Sequence, residues 1–129
     1  PDHKQIVGIK YYPSGATTNS DSGVKNIDDR YDVFELMEKL DIPLLLHGEV
    51  VDPAIDIFDR EKVFIDQHLL KLQRTFPHLR IVLEHITTKD AADFILSLLA
   101  LNSLRTSTLA AYSGSVSTFL LSILLMPKA

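Results

Sequence analysis

The sequence predicts an α/β fold of about three consecutive βα units, part of a TIM-type (β/α)8 barrel, followed by an irregular or helical tail. Three observations predict it. Short apolar runs bounded by turn residues, as buried parallel strands require, alternate with stretches of helical apolar spacing. The alternation occurs three times. Each run also closes on a titratable side chain, Lys10, His47 and His85, 37 and 38 residues apart. Alternating strands and helices call for a parallel sheet with right-handed crossovers. A complete barrel takes about 250 residues, so this chain of 129 residues would hold only part of one. An open doubly wound sheet is the competing architecture. Its nucleotide-binding form is disfavoured because no Gly-rich phosphate loop follows any run.

Taken in order, Gln5–Lys10 reads as a short strand, and Tyr11–Gly23 as a loop with a turn at Pro13-Ser14-Gly15. Asp28 and Asp29 place acids at a helix start, and Val33, Leu36, Met37 and Leu40 recur at helical spacing. Pro43 marks that helix as finished, and Pro43–His47 forms the second strand. After a polar loop, Asp59–Phe76 reads as an amphipathic helix with Val63, Leu69, Leu70 and Phe76 on its apolar side, stopped by Pro77. Arg80–His85 is the third strand, and Thr87 or Thr88 can cap a helix from Lys89 to about Leu99.

Composition narrows the classes. Cysteine is absent, which excludes disulfides, thiolate metal sites and a cysteine nucleophile, and suits a reducing compartment. A net charge of −4 argues against nucleic acid or an anionic membrane as partner. The opening Pro1-Asp2-His3-Lys4-Gln5 does not resemble a signal peptide and reads as the interior of a longer sequence. Residues 1–96 carry all 17 acids and 11 of the 13 basic residues, whereas 97–129 carry only Arg105 and Lys128. That break divides the chain into an α/β part, 1–96, and a divergent Leu/Ser-rich tail, 97–129. The apolar run Val116–Met126 is 11 residues, short of the ~20 that span a bilayer.

Side chains at equivalent ends of parallel strands, about 4.8 Å apart, can converge on one point. Two neutral imidazoles suit zinc. A lysine ammonium does not, unless burial and a nearby cation free its amine, which can then take up CO2 as an anionic carbamate. Taken alone, Lys10 fits a solvated lysine just beyond a strand better than a ligand, and His47 fits a capped strand end better than a ligand.

Five ordered blocks add a resemblance: Gly8–Pro13, Ala16–Ser20, Leu45–Val50, Ile55–Glu61 and Glu84–Ala92 resemble dihydroorotase, of the type whose amidohydrolase barrel stands alone, from about residue 5 to Phe94. The resemblance implies a cytoplasmic, homodimeric enzyme of pyrimidine synthesis that reversibly closes N-carbamoyl-L-aspartate to L-dihydroorotate. It implies that Lys10 is the carboxylated lysine bridging a pair of zinc ions and that His47 and His85 complete the second zinc's shell. It further implies that Thr17 and Thr18, on a mobile loop, contact the small-molecule substrate together with His47. His3, His68 and His78 match nothing and read as surface or helix-face histidines. The Ala-Thr-Thr-Asn loop separates this resemblance from hydantoinase-like relatives.

The family's His-x-His, its substrate-carboxylate arginine and asparagine, and its catalytic aspartate have no counterpart here, so no general base is encoded. The expectation is a fragment inactive alone, the alternative a non-catalytic truncated product or pseudoenzyme that at most binds a partner. Open sheet edges favour self-association. The tail departs from the family pattern, and out-of-frame or mis-spliced translation accounts best for its loss of acids, a genuine alternative C-terminus being the other explanation.

Overall fold

A parallel three-stranded layer organises the chain. The computed structural model describes residues 6–103, 111–112 and 121–125. In order these form β1 (Ile9–Tyr11), a 3-10 turn (Ile27–Arg30), α1 (Tyr31–Lys39) and β2 (Leu44–His47). A helical rod follows: α2 (Arg60–Phe64), a π-helical turn (Ile65–Leu69) and α3 (Leu70–Thr75). Then come β3 (Ile81–Ile86), α4 (Lys89–Ser103), β4 (Ala111–Tyr112) and β5 (Leu121–Leu125). The sheet order is β1-β2-β3-β5-β4; the first three strands are parallel, and β5 is antiparallel to both β3 and β4.

The pleat sorts side chains between two faces. Tyr11, Leu44, Leu46, Ile81 and Leu83 are buried against Phe34, Met37, Phe64, Leu69, Leu72, Ala91 and Ile95 of the helices. Each fully buried aliphatic side chain in such a layer stabilises by about 1.5–3 kcal/mol. The opposite face carries Lys10, Leu45, His47, Val82 and Glu84, which remain partly or fully exposed. Parallel sheets are normally covered on both faces, so this polar face is the one free to carry chemistry.

Local chemistry explains the boundaries. The Asn26 side chain accepts a hydrogen bond from the Asp28 amide at 3.1 Å, capping the 3-10 turn. Asp41, at φ 53°, ends α1 in a left-handed step, and the Ile42 amide bonds back to the Met37 carbonyl at 2.9 Å. Its carboxylate pairs with Arg80 Nε at 2.6 Å, tying this turn to the start of β3. Thr88 is the cap of α4, its hydroxyl accepting from the Ala91 amide at 3.2 Å.

The strand and helix expectations hold with boundary shifts of a few residues, and the helix expected over 59–76 contains a π turn. Within 97–129 the helical expectation holds where α4 continues to Ser103, β4 and β5 correct it to strand, and residues 104–110, 113–120 and 126–129 lie outside the described residues. The run Leu121-Ser122-Ile123-Leu124-Leu125 pairs with Ile81–Ile86 of β3, whose edge would otherwise present unpaired backbone. Among the described residues, no helix is long and apolar enough to cross a membrane.

Candidate functional site

The site is built on the carboxyl ends of β2 and β3. The strand register pairs Lys10 with Leu45 and Leu45 with Val82, while His47 pairs with Glu84. The three titratable strand ends are therefore not level, a correction to the even row expected from their spacing. His47 stands one pleat beyond Lys10, and the β3 residue in line with it is Glu84. Lys10, His47 and Glu84 share the polar face, and the Lys10 ammonium is ion-paired with Glu84.

By simple alternation, His85 would point to the opposite face. It does not, because its backbone has φ 39°. A left-handed conformation costs a non-glycine residue about 1–2 kcal/mol, and such residues persist where the surroundings over-determine them, often at functional sites. The twist turns the His85 ring back to His47, with centroids 4.5 Å apart and His47 Nδ1 3.2 Å from His85 Nε2.

Glu49 Oε1 lies 2.6 Å from His47 Nε2. The carboxylate can only accept, so the Nε2–H of His47 donates to it and Nδ1 is the ring nitrogen that faces His85. Burial, then the neighbouring His47 and Lys10 charges, hold the His85 imidazole below its ordinary value, which favours the neutral ring. Two ring nitrogens aimed at each other, one ring tied to a carboxylate through its far nitrogen, form the usual donor-and-support arrangement of a histidine metal ligand. Nitrogens about 2.0–2.1 Å from a tetrahedral zinc stand roughly 3.3 Å apart, and the observed separation is 3.2 Å. The pair thus fits adjacent vertices of a zinc site. It supplies only two, and among the described residues no group of three or more His, Asp or Glu is arranged to hold a metal.

A cavity of about 180 Å³ opens over this pair, lined by His47, Gly48, Glu49, Glu61, Leu83, Glu84, His85, Ile86, Thr87 and Ala91. Gly48 is required by close approach: a Cβ there would lie 2.4 Å from Leu83 Cδ1. Thr17 and Thr18 do not join the cavity. Their loop is folded on itself, with the Ser14 amide on the Val24 carbonyl at 3.1 Å and the buried Ser20 hydroxyl on the Thr17 carbonyl at 2.5 Å, and both threonines are exposed. His78 is exposed as expected, whereas His68 is half-buried in the π turn against Phe64. His3 lies outside the described residues. Glu49, Glu61 and Glu84 were not singled out from sequence. An acid two residues after His47 and another just before His85 were the available signals.

Fold and site together define a segment of an α/β protein whose titratable cluster lies at the carboxyl ends of parallel strands, the side on which such sheets carry ligands. No family model matches the chain. It is 61% identical over 92 residues to a dihydroorotase of Picosynechococcus, covering 71% of this chain and 27% of that protein. The Campylobacter jejuni dihydroorotase structure matches with TM-score 0.63 at 46% identity, covering 71% of this chain and 27% of that one. A Saccharomyces cerevisiae dihydroorotase solved with 5-fluoroorotic acid matches with TM-score 0.65 at 35% identity, covering 80% and 29%. The matched part of this chain belongs to the dihydroorotase family. The chain spans about a quarter of the length of the relatives it matches.

Proposed function

We propose that residues 1–96 form a partial amidohydrolase barrel carrying one half of a dihydroorotase metal centre, and that the chain alone does not turn over substrate. The observation that carries this reading is the His47 Nδ1–His85 Nε2 pair at 3.2 Å, with Glu49 on the far side of the His47 ring. In this reading His47 and His85 would hold zinc, and Lys10, once carboxylated, would supply an anionic oxygen ligand beside them. Bound zinc supplies Lewis-acid polarisation and an acidic water for interconverting N-carbamoyl-L-aspartate and L-dihydroorotate. The chain's own contribution is positional. Glu49 orients His47, the left-handed backbone of His85 aims its ring, and Glu84 neutralises Lys10 while that side chain remains an ammonium. Thr17 and Thr18 serve as hydroxyl donors to the substrate only if their hydrogen-bonded loop swings inward as a unit. The partner is a small acidic molecule, and the reaction belongs to pyrimidine synthesis in the cytoplasm. The exposed apolar side chains Leu36, Ile57 and Phe58 favour self-association.

The second reading, a non-catalytic product, is favoured by β5. It pairs antiparallel with β3 at the edge where an all-parallel barrel would continue. The sequence also contains no His-x-His. The test is zinc content of the purified chain by mass spectrometry, beside a turnover assay. The proposal expects bound zinc that is lost in His47→Ala and in His85→Ala, with no turnover. Equal zinc in both variants and the parent overturns the metal assignment, and turnover in a preparation free of host enzyme overturns the inactivity.

A further inference from the structure

Glu61 has no part in the pair of imidazoles, yet its carboxylate makes a dense set of contacts beside them. Oε1 accepts from the Thr87 amide at 2.8 Å and the Thr87 hydroxyl at 2.9 Å. Oε2 accepts from the Thr88 amide at 3.0 Å, the Thr88 hydroxyl at 2.7 Å and, more weakly, the Thr87 amide at 3.2 Å. One side chain of α2 thus satisfies both backbone amides and both hydroxyls of the turn between β3 and α4. It also lines the cavity over His47 and His85. With both oxygens saturated by donors, Glu61 has little capacity left to compete for a cation.

The turn it holds begins directly after His85. On the preceding side, Glu84 is fixed by its register with His47 and its ion pair with Lys10. On the following side, Ile86 is buried in the core and Thr87 is held by Glu61. His85, at φ 39°, is therefore trapped between two anchored points. Released from the second, an L-residue would relax out of the left-handed region. Alternation would then carry its ring to the far face, away from His47 Nδ1.

We infer that Glu61 is the positioning residue of the histidine pair: by clamping Thr87 and Thr88 it holds His85 in its left-handed conformation and keeps Nε2 aimed at His47. The metal aspect of this role rests on the zinc reading above, whereas the conformational aspect does not.

The experiment compares the chain with Glu61→Ala in two readouts. In metal-free protein, NMR couplings report the φ of His85, and ring-to-ring NOEs report its contact with His47. Separately, zinc is titrated by calorimetry. Glu61→Ala is expected to lose the NOEs, return His85 to negative φ and weaken zinc binding by about 10–100-fold, the usual effect of losing a residue that supports a ligand. Thr87→Ser and Thr88→Ser, which keep the hydroxyl donors, are expected to preserve both readouts. Retained NOEs and positive φ in a folded Glu61→Ala overturn the inference. If zinc does not bind the parent chain, the zinc reading fails and the NMR readout alone judges the clamp. Should Glu61→Ala fail to fold, Thr87→Val, which removes one hydroxyl donor, replaces it. A partial loss of the His47–His85 NOEs supports the clamp, and no loss overturns it.

Discussion

Gly48→Ala tests whether close packing holds the end of β2 where it presents His47. The new Cβ would stand 2.4 Å from Leu83 Cδ1 and 3.4 Å from Phe64 Cδ1. Carbon atoms pack best at about 3.5–4.0 Å, so the overlap with Leu83 exceeds about 1 Å. A leucine methyl could swing away on a surface. Here Leu83 is 2% and Phe64 1% exposed, so the Leu83 methyl has to be displaced within the core or into the cavity that it lines. Overpacking of this kind costs about 1–3 kcal/mol. With a urea m-value of about 1–3 kcal/mol/M, the unfolding midpoint should fall by roughly 1 M. Leu83→Ala removes the obstructing methyl, so the Gly48→Ala penalty measured in that background should shrink by about 1 kcal/mol or more. An unchanged midpoint, or equal penalties in the two backgrounds, would refute the argument.

Other outcomes follow from the same geometry. Burial holds the His68 imidazole below its ordinary value of 6.5, with Asp28 opposing. The unfolded chain therefore binds more protons between 6.5 and the lower folded value, and stability should fall as the pH drops through that window. His68→Phe should flatten this acid slope, leaving the similar contribution of His85; an unchanged slope would count against it. The exposed Lys71–Asp28 pair, at 2.6 Å, is screened by solvent and should contribute little, read as a small, salt-dependent shift in thermal midpoint for Lys71→Ala. Glu49→Gln leaves an amide that can donate as well as accept, so the proton on His47 Nε2 should no longer be enforced. Ring 15N shifts should then show a mixture of tautomers, whereas a single retained tautomer would remove Glu49 from that role.

The parallel strands were legible because Leu44-Leu45-Leu46 and Ile81-Val82-Leu83 are apolar on successive residues between turn signals. Lys10, His47 and His85 were legible because each ends such a run. What spacing could not express is register and backbone sign. Counting from strand ends made Lys10 and His47 level, whereas hydrogen bonding pairs Lys10 with Leu45. Nothing in Glu84-His85-Ile86 announces a φ of 39°, because histidine rarely adopts it without support from elsewhere in the fold. That support comes from Glu61, 24 residues earlier in the sequence. The two strands in the tail were not legible because its lack of acids and its Leu/Ser composition carry no period. Its strands depend on the edge that β3 offers, a tertiary effect that overrides local preference.

The most direct test is a zinc titration of the chain with 15N-labelled histidine, following each ring nitrogen by NMR. Zinc should shift His47 Nδ1 and His85 Nε2 together, while His47 Nε2 keeps its proton on Glu49 and His68 and His78 stay unchanged. Zinc that shifts His78 or His47 Nε2 instead, or that leaves both His47 and His85 unmoved, would contradict the assignment of these two histidines as a metal-binding pair.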